Sequence, residues 1–254
     1  MDFKNTKHAN FKNSWVLKDI SFDIKAGTHV GIVGFTGSGK STIANLTARL
    51  YDPQKGQVLI NGHSIILYPV EFLHSNVGYV NQEPFLFSKT IKENILFGKE
   101  EVLSKLSEFE ITKKIIEVSK ISHLHDDVKQ FKKGYETLIG ERGVTLSGGQ
   151  KQRLAIARVL LSDPGILILD DSFSNIDTNT EELILRDLSE KTAGITTIII
   201  SHRISTIKDS DLIIVIDEGK ISQIGKHHEL IKKSGIYQSL YYKQQLSEEL
   251  KEEI

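Results

Sequence analysis

Gly34-Phe35-Thr36-Gly37-Ser38-Gly39-Lys40-Ser41-Thr42 fits the pattern G-x-x-x-x-G-K-[ST], and the apolar run His29 to Val33 leads directly into it. That order predicts a buried strand, a glycine-rich turn and a helix opening near Lys40, with helical periodicity running from Ser41 to Leu50. Glycines at 34, 37 and 39 let consecutive backbone N–H groups turn inward, and the positive end of the helix dipole adds to them, so the turn is built to cradle phosphate. Lys40 is placed to neutralise β- and γ-phosphate charge, and the Ser41 hydroxyl to hold Mg²⁺.

A second block, Leu146-Ser147-Gly148-Gly149-Gln150, is followed by Lys151-Gln152-Arg153 and the helix-forming run Leu154 to Leu161. Downstream stand Ile166-Leu167-Ile168-Leu169-Asp170, Ser174-Asn175-Ile176-Asp177 and Ser201-His202-Arg203, and between the two main blocks stand Val80-Asn81-Gln82-Glu83-Pro84 and Gly140-Glu141-Arg142-Gly143. In this order and spacing the chain resembles the nucleotide-binding domain of ATP-binding cassette (ABC) transporters, and among them the exporters. The resemblance covers nearly the whole chain. It implies an α/β P-loop NTPase core with a mostly parallel sheet, an antiparallel β edge subdomain and an inserted α-helical subdomain. It also implies ATP and Mg²⁺ as cofactors.

The resemblance places the phosphates on Gly34, Phe35, Thr36, Gly37, Ser38, Gly39, Lys40, Ser41 and Thr42, and the metal on Ser41, Gln82 and Asp170. Gln82 would touch the metal and the attacking water, and His202 the γ-phosphate. Ser147, Gly148, Gly149 and Gln150 would close over ATP bound to a second cassette, although Ser147 also suits a plain helix cap. Asp170 ends an apolar strand, where a carboxylate without a partner is costly, and a Mg²⁺ ion reached through water accounts for it.

Two positions depart from the family pattern. The catalytic glutamate after the strand aspartate is replaced by Asp171. One methylene less draws the carboxylate back by roughly 1.5 Å, a C–C bond length. The aromatic residue that stacks on adenine is also missing. Alignment puts Asn10 there, with Phe11 or Trp15 as substitutes and Phe11 the first choice.

Composition sets the outer bounds. The 254 residues include 32 Lys plus Arg against 33 Asp plus Glu and no cysteine. The net charge of −1 leaves no basic footprint for nucleic acid, and disulfides and thiolate metal sites are excluded. No window approaches the roughly 18 apolar residues that cross a bilayer, and no signal peptide opens the chain, so the sequence reads as a soluble cassette beginning directly in its fold. His123 and His125 beside Asp126 and Asp127 lack a fourth spaced metal ligand.

One domain spans 1–254, with an ATP-binding core at 1–82 and 162–254 and a helical subdomain at 83–161. The alternating first 25 residues, turning at Ala26-Gly27, predict an antiparallel β edge. Between Thr90 and Leu161, the residues Leu103, Leu106, Ile111, Ile115 and Ile116 are spaced for one apolar helix face. After Pro164, strands at Ile166–Leu169, Thr196–Ile200 and Leu212–Ile216 alternate with helices, and the run from His227 is helical with a solvated acidic tail.

The expected partners are a second cassette and a transmembrane domain, on the same natural chain or another, at the cytoplasmic face of a membrane. The expected function is ATP hydrolysis that powers export. A regulatory module that dimerises on ATP with little hydrolysis is the alternative that Asp171 suggests. An intact signature beside a shortened Asp171 resembles one half of a heterodimeric exporter, with a homodimer as the other possibility.

Overall fold

The computed structural model describes residues 15–99, 103–140 and 143–252. Five runs rich in Ile, Val and Leu form parallel strands: β1 (His29–Val33), β4 (Val77–Val80), β5 (Ile166–Asp170), β6 (Thr196–Ile200) and β7 (Leu212–Asp217). Near-continuous apolar runs of this kind are what strands covered on both faces require. The six-stranded sheet has the order β4-β5-β6-β1-β7-β8, with β8 (Lys220–Gly225) antiparallel to β7. A separate two-stranded ribbon pairs β2 (Leu59–Ile60) with β3 (His63–Ser64).

Successive side chains alternate between two cores. Leu167, Leu169, Ile199 and Val215 join the larger one, which also takes in the helices between residues 91 and 160. Ile168, Ile198, Ile200 and Ile214 face the smaller one, closed by Ile43 and Ala44 of helix α1 (Lys40–Thr47). Gly78 marks where a helix lies against the sheet, since a Cβ there would come within 2.4 Å of Val159 Cγ1.

The segment between 91 and 160 is helical, with α3 (Ile91–Leu96), α4 (Glu108–Ile121), α5 (His125–Gln130) and α6 (Gly148–Leu160) following α2 (Val70–Asn76). Thr90–Glu93, Ser107–Glu110 and Ser147–Gln150 are reciprocal capping boxes that start α3, α4 and α6. The Ser107 cap divides the expected apolar stripe: Ile111 and Ile115 lie on α4, whereas Leu103 and Leu106 precede it. The remaining helices are α7 (Thr178–Lys191), α8 (Ile204–Ile207), α9 (His227–Leu230) and α10 (Ile236–Glu252). No helix among the described residues is long and apolar enough to cross a membrane.

Within the expected N-terminal β edge, the described residues 15–28 hold no strand. Their alternation is real, for Leu17, Ile20, Phe22 and Ile24 pack against the smaller core. Asp19 has φ 52°, however, and a left-handed residue breaks the extended path a ladder needs. Residues 1–14 lie outside the described residues. The antiparallel edge of the main sheet is β8.

Candidate nucleotide site

Parallel strands all end on one edge of their sheet, and ligands of open α/β folds gather there. The loop after β1 carries Gly34 to Gly39, the end of β4 leads to Gln82, β5 ends on Asp170 and Asp171, and β6 leads to His202. The tertiary fold thus assembles at one edge residues up to 168 positions apart in the chain, from Gly34 to His202.

The phosphate loop is shaped by two glycines in different ways. A Cβ on Gly34 would sit 2.0 Å from the Ile216 carbonyl oxygen, so the loop root needs a bare backbone. Gly37 has φ 81° and faces open space, leaving the crown of the turn clear. Among the described residues, the backbone N–H groups of Gly37, Gly39, Lys40 and Ser41 meet no protein acceptor, and the buried Ser38 hydroxyl has no partner. Unmet donors at the N-terminus of α1, with the unpartnered Ser38 hydroxyl beside them, fit a bound polyanion.

Lys40 Nζ donates to the carbonyls of Gly34 and Phe35 at 2.9 and 3.0 Å, which uses two of its three N–H groups. Burial pulls its ammonium below the ordinary lysine range, against the opposing charges of Asp171 and Asp170.

Ser41 Oγ donates to Asp170 Oδ1 at 3.1 Å, joining the two halves of the expected metal site across 129 residues. The Tyr79 hydroxyl lies 3.2 Å from Asp170 Oδ2 and 3.0 Å from the Asn45 amide oxygen. Burial pushes the Asp170 carboxyl up, and the hydrogen bonds from Ser41 and Tyr79 oppose that rise. Burial and the Asp170 charge raise the Tyr79 phenol well above its ordinary range, which keeps it a hydroxyl donor. A hydroxyl and a carboxylate side by side are hard oxygen donors of the kind Mg²⁺ takes along with phosphate and water, so these residues fit the ion.

Asp171 adopts φ 46° and donates its N–H to Ile200 O at 2.9 Å. Its Oδ1 accepts from the His202 backbone N–H at 3.2 Å and lies 3.0 Å from His202 Nδ1. Burial alone would raise the Asp171 carboxyl, but the bonds and charge of His202 outweigh it and hold the group below its ordinary value. Asp171 and His202 are thus brought together. Gln82 is exposed, and its only hydrogen bond among the described residues is through its carbonyl, which accepts from Gln152 Nε2 at 3.3 Å.

Ser147 caps α6: its hydroxyl accepts from the Gln150 N–H at 3.2 Å while Gln150 Oε1 accepts from the Ser147 N–H at 3.0 Å. The hydroxyl proton of Ser147 stays available to a ligand. A Cβ on Gly149 would lie 2.8 Å from the Asn175 carbonyl oxygen, so this glycine is also required inside the chain, where α6 meets the loop before α7.

Three polar contacts were not anticipated. Gln152, fully buried, donates to Ser174 Oγ at 2.8 Å and accepts from the Asn175 N–H at 3.0 Å. It therefore ties α6 to the loops after β4 and β5. A glutamine two residues past the signature, on the helix face that buries Ala155 and Ile156, was the available signal. Arg203 reaches the carbonyls of Ser174 and Ile176 and pairs at 2.7 Å with Glu181, which is only 2% exposed. Gln244 of α10 bonds the backbone beside His202. No local pattern marks Glu181 or Gln244.

The histidines and aspartates without a metal-ligand pattern lie apart from the site. His123 pairs with Asp187 at 2.8 Å, His125 Nδ1 lies 2.9 Å from the Tyr135 hydroxyl, and Asp127 pairs with Arg153. Asn10 and Phe11 lie outside the described residues, as do Glu141 and Arg142. Trp15 is 42% exposed with Lys55 Nζ 5.2 Å from its ring centre. The adjoining backbone runs close to the phosphate loop, for a Cβ on Gly39 would meet Leu17 Cδ2 at 2.7 Å.

Known proteins with this arrangement are numerous. The family profile described as "ABC transporter" matches residues 17–174. A Staphylococcus aureus protein named as a multidrug export ATP-binding/permease protein is 44% identical over 243 residues, covering 94% of this chain and 41% of its own. ABC transporter B family member 17 of Arabidopsis thaliana is 46% identical over 235 residues, with 92% of this chain and 18% of that protein covered. The solved structure of a bacterial Atm1-family ABC exporter with ATP bound superposes with a TM-score of 0.84 at 39% identity, covering 92% of this chain and 40% of the other. The chain thus spans about two fifths or less of the length of these relatives.

Proposed function

Because the chain belongs to the ABC transporter family, whose profile covers residues 17–174, we propose that it is an ATP-binding and ATP-hydrolysing cassette that dimerises around ATP and powers export through a transmembrane domain. The observation that carries this reading is the 3.1 Å contact of Ser41 with Asp170 beside a loop of unmet N–H donors. Phosphoryl transfer to water needs positioning and charge stabilisation rather than a covalent intermediate.

In this reading the loop from Gly34 to Thr42 binds and orients the phosphates, and Lys40 offers its third N–H to them. Ser41 and Asp170 hold Mg²⁺, with Gln82 approaching it. The ion, when bound, would supply neutralisation of phosphate charge. Asp171 accepts a proton from the attacking water, and His202 contacts the γ-phosphate. Ser147 and Gly149 serve the ATP of the opposing cassette, with Ser147 donating its hydroxyl proton.

The stacked rings of Phe87 and Phe97, with Phe85 70% exposed beside them, form an apolar patch after the Gln82 loop suited to a membrane-domain contact. The work would be done at the cytoplasmic face of a membrane. The second cassette is a different chain carrying Glu at the position of Asp171, whose active site this chain's signature completes. A regulatory module with little hydrolysis is the second reading, favoured by the hydrogen bonds that already occupy Asp171 Oδ1.

The test is Lys40→Ala, measured by calorimetry with ATP and Mg²⁺. Loss of one charge-assisted hydrogen bond, about 1.5–3 kcal/mol, weakens ATP at least about tenfold. Wild-type affinity in a folded Lys40→Ala protein would falsify the phosphate-loop assignment.

A further inference from the structure

We propose that Gln244, on the C-terminal helix α10, is a positioning residue for His202. Its side-chain amide grips the backbone on the far side of that histidine: Nε2 donates to His202 O at 2.6 Å and Oε1 accepts from the Ile204 N–H at 2.8 Å. Arg203 between them is extended, with φ −93° and ψ 127°. In an extended chain the C=O of one residue and the N–H of the residue two further on point the same way, so the amide imitates a neighbouring strand.

The local sequence explains why such a distant residue is needed. Ile204 is the first residue of α8, and its N–H is one of the donors that no helix satisfies internally. The preceding Arg203 gives no side-chain cap. Its guanidinium is committed to Ser174, Ile176 and Glu181. Gln244 therefore caps α8 from 40 residues away.

The result is a clamp on both sides of His202. Its N–H is held by Asp171 Oδ1 and its C=O by Gln244, and Arg203 N–H donates to Ser201 Oγ at 2.9 Å. The imidazole has its own contact with Asp171, Nδ1 lying 3.0 Å from Oδ1. The helix carrying the clamp is itself anchored: Tyr237 is fully buried, its N–H donates to Gln223 Oε1 at 3.0 Å, and its hydroxyl lies 2.7 Å from His227 Nδ1. The position of α10 is thereby transmitted to the γ-phosphate end of the site. This inference rests on the ATPase reading above.

The experiment uses the whole protein carrying this chain and compares Gln244→Ala, His202→Ala, the double variant and the neighbour Gln245→Ala. Among the described residues, the Gln245 side chain bonds only the Tyr241 hydroxyl, so its variant controls for helix damage. In Gln244→Ala, the Ile204 amide should exchange with solvent about tenfold faster, and kcat should fall about tenfold, the worth of one to two hydrogen bonds. Apparent ATP affinity should stay within about twofold. Against His202→Ala the loss should vanish, since residues acting as a unit are not additive.

Gln244→Glu, of equal size, keeps the acceptor for Ile204 and deletes the donor to His202. It should lose turnover in part with normal folding. Unchanged Ile204 exchange, unchanged kcat, or a loss that adds fully to that of His202→Ala overturns the proposal. If the wild type hydrolyses ATP and His202→Ala does so equally well, the role given to His202 fails and this inference fails with it. If neither turns over, the ATPase reading fails, and Ile204 exchange alone decides whether the clamp exists.

Discussion

Asp171→Glu should increase turnover at the site built on this chain's phosphate loop. The carboxylate of Asp171 is turned toward His202, with Oδ1 at 3.2 Å from the backbone nitrogen and 3.0 Å from Nδ1. A general base acts within about 2.6–3.2 Å of the proton it takes. A glutamate carboxylate would stand roughly 1.5 Å further out from the same Cα. Misplacement by about 1 Å can cost on the order of 100-fold, or about 2.7 kcal/mol of barrier. The longer side chain should recover much of that factor.

A cost is expected alongside the gain. With φ 46° at this position, glutamate tolerates the left-handed backbone less readily than aspartate, and the fold should lose up to about 1 kcal/mol. That strain is present in ground and transition states alike, so it lowers the melting temperature without lowering kcat. Phosphate release by the assembled protein, with ATP affinity measured in parallel, reads both effects. Wild-type turnover already near about 10 s⁻¹, the enzyme median, would refute the geometric argument. So would an Asp171→Glu protein that is folded, binds ATP normally and is no faster.

Arg203→Ala should cost about 3 kcal/mol in urea unfolding by leaving the carboxylate of Glu181 buried and unpaired, and Glu181→Ala somewhat less, because Arg203 is about a third exposed and can turn to water. A loss under about 1 kcal/mol in both would show that the pair does not anchor the Asp177 loop. Burial lowers the His125 and His227 pKa values, so the unfolded chain binds protons that the folded chain does not. Their contribution to stability is therefore full above the unfolded value of about 6.5 and declines as pH falls from there toward the folded values. The melting temperature should drop between neutral pH and pH 5, and His227→Gln, whose amide can still accept the Tyr237 proton, should drop less; an equal drop means His227 does not contribute. Phe11→Ala should weaken ATP more than inorganic triphosphate, by about 1–3 kcal/mol of base stacking, and no difference transfers the stacking role to Trp15.

Local pattern was enough to place β1, β5, β6 and β7. Thr196–Ile200 and His29–Val33 coincide with their apolar runs because a strand covered on both faces must be apolar throughout. The glycine-rich loop was legible for a related reason: the close approach of Gly34 to Ile216 O excludes any side chain, so glycine spacing records the geometry. The alternation of Leu17, Ile20, Phe22 and Ile24 correctly indicated a half-buried segment but not its conformation. Burial of one face needs only the period, whereas a strand needs a neighbour to bond with, and alternation says nothing about neighbours.

The sequence by itself determined the glycine-rich loop and roughly where elements begin, and singled out the residues proposed for phosphate and metal, since those depend on residue type and on spacings of a few positions. Only the tertiary structure decided how they are held. Asp170 meets Ser41 across 129 residues, Arg203 finds a buried partner in Glu181 across 22, and Gln244 reaches His202 across 42. Hydrogen bonds act over about 3 Å in space and leave no periodic trace along the chain, so a polar side chain's partner becomes known only when the fold brings the two together.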